Sequence, residues 1–133
     1  MSDADSTKPT LQDTLAMLSE AARGLLFPSE SDFPFDTIEL AAEPVDEASL
    51  RGALGVAAEA PLEEMTIAEL FDPVIESCEG SEADQYKEIV SIFERVLGES
   101  KALRAGSVEI DVFAIGKHAS GAWIGLKTKA VET

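Results

Sequence analysis

Asparagine is absent from the 133-residue chain, and cysteine, histidine, tryptophan and tyrosine occur once each. Without asparagine there is no N-glycosylation acceptor. A single cysteine, Cys78, excludes an internal disulfide framework and suits a reducing compartment. One cysteine and one histidine also exclude a zinc cluster of the usual kind. Basic residues are scarce, 10 against 26 acidic, for a net charge of −16. A body of that sign repels nucleic acid and anionic membrane, which argues against direct binding to either. It attracts basic partners, many of which are nucleic-acid-binding proteins. The same charge also serves plain solubility, and at low salt it disfavours tight self-association, so a monomer is expected before any complex forms. No apolar stretch approaches the ~18 residues of a membrane span. The first residues show no basic segment followed by an apolar run, so no signal peptide is visible and a cytoplasmic location is expected.

With 45% of its residues hydrophobic, the chain can bury a real core and its charge does not signal disorder. One domain over residues 10–133 is expected, preceded by a flexible acidic tail at 1–9. The charge is uneven. Residues 1–100 carry 23 acidic and 5 basic groups, whereas residues 101–133 carry 3 and 5.

Thr10 has the form of an N-cap, with Asp13 placed to favour the positive helix end. Leu11, Leu15, Leu18, Ala22 and then Leu25 or Leu26 follow at helical spacing, with Gly24 as the stop. Residues 36–41 alternate like a half-buried strand. Asp46 can cap a short helix running to Leu54, with Gly55 after it, and residues 61–65 fit a brief strand. Thr66 and Glu69 make a capping pattern for a helix that Pro73 is expected to break. Residues 78–80 read as a turn. A long helix then starts at Ser81, buries Ile89, Val90, Phe93, Val96 and Leu97, and is expected to close at Gly98.

From Gly106 the period becomes two. Val108, Ile110, Val112 and Ala114 share one face, and Glu109, Asp111, Phe113 and Ile115 the other. Residues 116–121 read as a hairpin loop, and 122–131 return as a second strand. There Ile124, Leu126 and Ala130 oppose Trp123, Lys127, Lys129 and Val131.

Residues 27–35, Phe-Pro-Ser-Glu-Ser-Asp-Phe-Pro-Phe, hold three aromatics, two prolines and two carboxylates. The rings can enter a core, and each proline fixes its own φ and biases the residue before it to extended backbone. Ser29, Glu30, Ser31 and Asp32 are left at the tip of a loop anchored at both ends. Such a tip is either an acidic turn or a set of rigid carboxylates that imitate phosphates toward Arg and Lys, or reach a bound cation.

Other chemistry is sparse. A Cys78–His118 nucleophile and base pair is conceivable, but no local motif supports it, and an incidental pair is the plainer reading. There is no glycine-rich phosphate loop and no nucleophile elbow. Glu79, Glu82 and Asp84 have the density for calcium without the loop spacing, and read as an acidic helix start. Trp123 is either an interface anchor or the cover of a sheet face.

The stretch Gly24-Leu-Leu-Phe-Pro-Ser-Glu-Ser-Asp-Phe-Pro-Phe35 resembles the helix-end and loop motif of the nuclease A inhibitor family. Gly106-Ser-Val-Glu-Ile-Asp-Val-Phe-Ala-Ile-Gly116 and Thr128-Lys-Ala-Val-Glu-Thr133 resemble that family's C-terminal hairpin, including its final threonine. The resemblance implies an α+β fold, an α/β/α sandwich with a central antiparallel sheet of about four strands, similar to the pathogenesis-related protein 1 fold. It implies an acidic inhibitor with no catalysis, cofactor or metal of its own. The partner would be a basic, metal-dependent, sugar-non-specific endonuclease whose active site is occluded. Glu30 would approach that nuclease's Mg²⁺ and Thr133 would enter the same cleft; from their place at the loop tip, Ser29 and Ser31 are expected around the contact, with Asp32 a turn residue or secondary contact. The family's tryptophan ahead of the long helix has no counterpart, since Asp84-Gln85-Tyr86 stands nearest. An adaptor or ligand-binding domain of the same fold with another partner is the alternative.

Overall fold

The computed structural model describes residues 9–40, 43–44 and 46–132. In chain order these form α1 (Leu11–Ala21), β1 (Leu26–Phe27), β2 (Phe33–Pro34), β3 (Asp36–Glu39), α2 (Glu47–Leu54) and β4 (Leu62–Met65), then α3 (Ile67–Ser77), α4 (Ser81–Arg95), β5 (Gly98–Ala105), β6 (Glu109–Lys117) and β7 (Trp123–Val131). The fold is mixed α+β. A five-stranded antiparallel sheet in the order β3-β7-β6-β5-β4 is joined by a two-stranded β1-β2 ladder.

Three helix starts are fixed locally by reciprocal caps: Thr10 with Asp13, Asp46 with Ser49, and Thr66 with Glu69. In each, the cap side chain accepts from the backbone N–H three residues on, and that residue's side chain accepts from the cap N–H. Gly55 ends α2 with φ at 71°, a left-handed turn that costs glycine little.

Both sheet faces are covered. Val112 and Ala114 of β6 face a core shared with Leu18 of α1, Phe71 of α3 and Ile89 of α4. Phe113 and Ile115, on the opposite face, pack with Leu103, Trp123 and Leu50 of α2. The two-residue period read from the sequence therefore sorts β6 and β7 onto the correct faces.

Four expectations need correction. The sheet has five strands rather than about four, because residues 98–105 form β5 and Gly98 opens it instead of closing a helix. That segment, Gly-Glu-Ser-Lys-Ala-Leu-Arg-Ala, is poor in strand formers; pairing with β4 and β6 on its two sides overrides local preference. Pro73 sits inside α3 without ending it. Its ring is exposed while Phe71 and Val74 are buried, and burying such side chains at about 1.5–3 kcal/mol each outweighs a penalty of about 3 kcal/mol for interior proline. Helix α1 stops at Ala21, so Leu25 and Leu26 lie beyond it, and β6 runs on to Lys117, which shortens the hairpin turn. Residues 1–8 of the expected tail lie outside the described residues; Pro9, counted with them, accepts a hydrogen bond at its carbonyl from His118 Nε2 at 3.1 Å.

Candidate functional site

The loop after α1 is built from both ends. Gly24, at φ 76°, turns the chain out of the helix. Two consecutive residues of α4 then hold it. The Gln85 amide donates to the carbonyls of Ala21 (3.2 Å) and Arg23 (2.9 Å), and the Tyr86 hydroxyl donates to Leu26 C=O (2.9 Å). The Ala21 carbonyl is one a helix end leaves unpaired. Beyond it, Leu26 pairs with Pro34 and Phe27 with Phe33, closing the loop at its base. Phe35 meets Phe27 edge-on at 6.0 Å and lies 6.4 Å from Phe71 and 6.1 Å from Tyr86. Phe27 and Phe35 thus anchor the loop as the sequence suggests, whereas Phe33 is half-buried and belongs to neither core cluster.

The outer edge of β7 carries the rest. Asp36 through Glu39 pair with Lys127 through Ile124. Further along, the Thr128 hydroxyl faces the carbonyls of Pro34 (2.8 Å) and Phe33 (3.2 Å). At the far end the Glu30 amide donates to Val131 C=O at 3.1 Å, and the Val131 amide donates to Ser29 Oγ at 3.1 Å. Ser29 Oγ also donates to Ser31 C=O and accepts from Ser31 N–H. Residues 29–39 thus descend beside β7, and the loop continues the edge pairing of the sheet.

Among the residues expected at the site, Glu30, Ser31 and Asp32 are exposed and Ser29 is half-buried as the tether. Thr133 lies outside the described residues. Its neighbour Glu132 donates its amide to Val108 C=O and pairs its carboxylate with Arg104. Burial pushes the Tyr86 hydroxyl well above the ordinary phenol value of 10.0, and the charges of Cys78, Glu82 and Asp32 push the same way. Tyr86 is therefore a neutral donor throughout the physiological range.

Sequence reasoning passed over Gln85, Tyr86 and Thr128. The Gln85 bonds span more than sixty residues of chain, a separation that no local pattern signals. His118 is buried, with Nδ1 accepting from Ser120 N–H and Nε2 directed at Pro9 C=O, so both ring nitrogens are occupied structurally. Trp123 is 5% exposed and covers a sheet face, which overturns its reading as a surface anchor. Lys127 places its ammonium 5.7 Å from the centre of the Phe113 ring. Among the described residues no three His, Cys, Asp or Glu side chains are grouped to hold a metal, and no helix is long and apolar enough to cross a membrane.

The α+β scaffold thus fixes an exposed acidic loop along a sheet edge. The family model for nuclease A inhibitor-like protein matches residues 12–133, and the chain belongs to that family. No curated protein matches it.

Proposed function

We propose that this chain occludes the active site of a metal-dependent, sugar-non-specific nuclease, with Glu30 as the central contact. Membership of the nuclease A inhibitor-like family supplies the inhibitor role and the nuclease partner at family level. The observation that carries the finer reading is the bond from the Glu30 amide to Val131, two residues before Thr133. It supports a mechanism in which loop tip and Thr133 enter one cleft together, Glu30 toward the partner's Mg²⁺, with Ser29, Ser31 and Asp32 around it. No catalysis is asked of this chain. A loop tip whose backbone is already held loses less conformational entropy on docking, and the charge of −16 favours a basic nuclease and fast association. Helices α1, α3 and α4 on one sheet face and α2 on the other support reading the fold as the α/β/α sandwich of the pathogenesis-related protein 1 type. We read the free protein as a cytoplasmic monomer.

The test is inhibition of a Mg²⁺-loaded sugar-non-specific endonuclease. Glu30→Ala, and separately a chain extended past Thr133, should each weaken inhibition; truncating one member of a buried charge pair costs on the order of 2–5 kcal/mol. If both variants inhibit as well as the parent, the occlusion model is wrong.

One observation favours a second reading, an adaptor with another partner. The Gln85 amide is turned onto the end of α1, so no aromatic anchor stands at that point. Affinity capture on the parent chain separates the two: a basic nuclease in a salt-sensitive complex supports inhibition, and capture of a different protein with no effect on nuclease activity supports the adaptor.

A further inference from the structure

Beside the loop, the sheet face that packs on α3 is not fully roofed. An open cleft of about 500 Å³ lies between the loop, β4, β5 and α3. Its inner wall is apolar, formed by Phe27, Met65, Leu70 and Val74, all buried or half-buried. Its outer wall is charged, with Glu63, Glu69 and Glu132 exposed around a half-buried Arg104. The register sets Glu63 directly across from Arg104, and Glu132 pairs with the same guanidinium from the other side. Glu69 spends one oxygen on the Thr66 amide at the helix cap. Three carboxylates around one guanidinium leave the rim negative.

The cleft adjoins the contact proposed above at two points. Pro28 lines it, two residues before Glu30, and Glu132 lines it, one residue before Thr133. We propose that it receives an arginine side chain from the basic edge of the nuclease's nucleic-acid cleft, as a second contact beside Glu30; this rests on the inhibitor reading. An enzyme that binds a polyanion carries such residues around its active site. A long cationic side chain suits this cleft, because its aliphatic stem covers apolar surface while its head stays with the carboxylates. Arginine suits it better than lysine, since a planar fork of donors can bridge two carboxylates at once.

Two measurements test the proposal. In the first, N-acetyl-arginine amide is titrated into the ¹⁵N-labelled protein alone, with N-acetyl-lysine amide as the comparison. Saturable shifts at the Met65, Leu70 and Arg104 amides, stronger for arginine and absent around α2, are expected. Shifts spread evenly over the acidic surface, none at all, or equal response to lysine overturn the choice of occupant. In the second, Glu63→Gln and Glu69→Gln are combined, the latter keeping a side-chain acceptor for the helix cap. Inhibition of the Mg²⁺-loaded nuclease should weaken by about tenfold or more, as for loss of a hydrogen bond to a charged group. The far-UV circular dichroism spectrum should match that of the parent, showing the fold intact. An unchanged inhibition constant in that variant, with Glu30→Ala still impaired, overturns the cleft and leaves the inhibitor reading standing. A parent chain that inhibits no such nuclease removes the nuclease as occupant, whatever the amide titration shows.

Discussion

The Glu30 amide donates to the Val131 carbonyl at 3.1 Å, joining the tip of the acidic loop to the last residue of β7. The bond is reinforced from the side chain before it, because Ser29 Oγ accepts the Val131 amide at 3.1 Å. The backbone of the loop tip is thereby tied to the end of β7 in the five-stranded sheet.

Ser29→Ala removes that reinforcement and leaves the Val131 amide without its partner. Stability should fall by about 1 kcal/mol, the net worth of an ordinary hydrogen bond. Hydrogen exchange at Val131 and Glu30 should quicken, and nuclease inhibition should weaken although Glu30 is intact. Unchanged exchange at both amides would show that the Ser29 hydroxyl does not order the loop.

Tyr86 links loop order to alkaline pH. Its folded pKa is raised above the ordinary 10.0 by burial and neighbouring charge, so the unfolded chain loses this proton first. The stabilisation is complete below pH 10.0 and is lost as pH rises toward the folded value. Parent melts should therefore decline from about pH 9 to 11 by more than those of Tyr86→Phe. At neutral pH that variant, having lost the bond to Leu26, should be less stable by about 1 kcal/mol. As the chain has one tyrosine, phenolate absorbance reports the ionisation directly.

Two glycines should answer alanine in opposite ways. A Cβ on Gly125 would stand 1.8 Å from the Ala114 carbonyl oxygen, within the β6–β7 ladder. Gly125→Ala should cost at least about 3 kcal/mol, at the upper end for overpacking, or prevent a cooperative melt. A Cβ on Gly52, inside α2, meets nothing within 4 Å. Gly52→Ala should stabilise by about 0.5–1 kcal/mol through helix propensity. Equal melting temperatures for the two variants would contradict the sheet register.

Asp46 carries the acid limb of α2. The Ser49 amide, then the Ser49 hydroxyl, hold its carboxyl below the ordinary 3.8. A depressed pKa contributes stability above the unfolded value, and that contribution is lost as pH falls through the folded one. Asp46→Ala should therefore melt below the parent at about pH 7, with the gap closing as pH falls below the usual carboxylate range. A gap that stays constant into strong acid would show that the charged form is not what caps the helix.

Much of this molecule is written in short-range pattern. Thr10, Asp46 and Thr66 cap their helices through residues three positions away, and the alternation at 110–115 sorts the middle of β6 between the two sheet faces. Both are interactions between near neighbours, which composition and spacing encode directly. The aromatics and prolines at 27–35 likewise announce an anchored loop. What holds that loop is another matter. Ser29 meets Val131, Thr128 meets Pro34, and Gln85 meets Ala21, all pairs distant in the chain and joined by small polar groups with no periodicity of their own. Strand β5 and the helical Pro73 belong with them, since packing by neighbours overrode what their own residues prefer. Local sequence sets caps, faces and the acidic character of the tip. Where the tip points follows from which sheet edge it is tied to, and only the folded chain brings that edge to it.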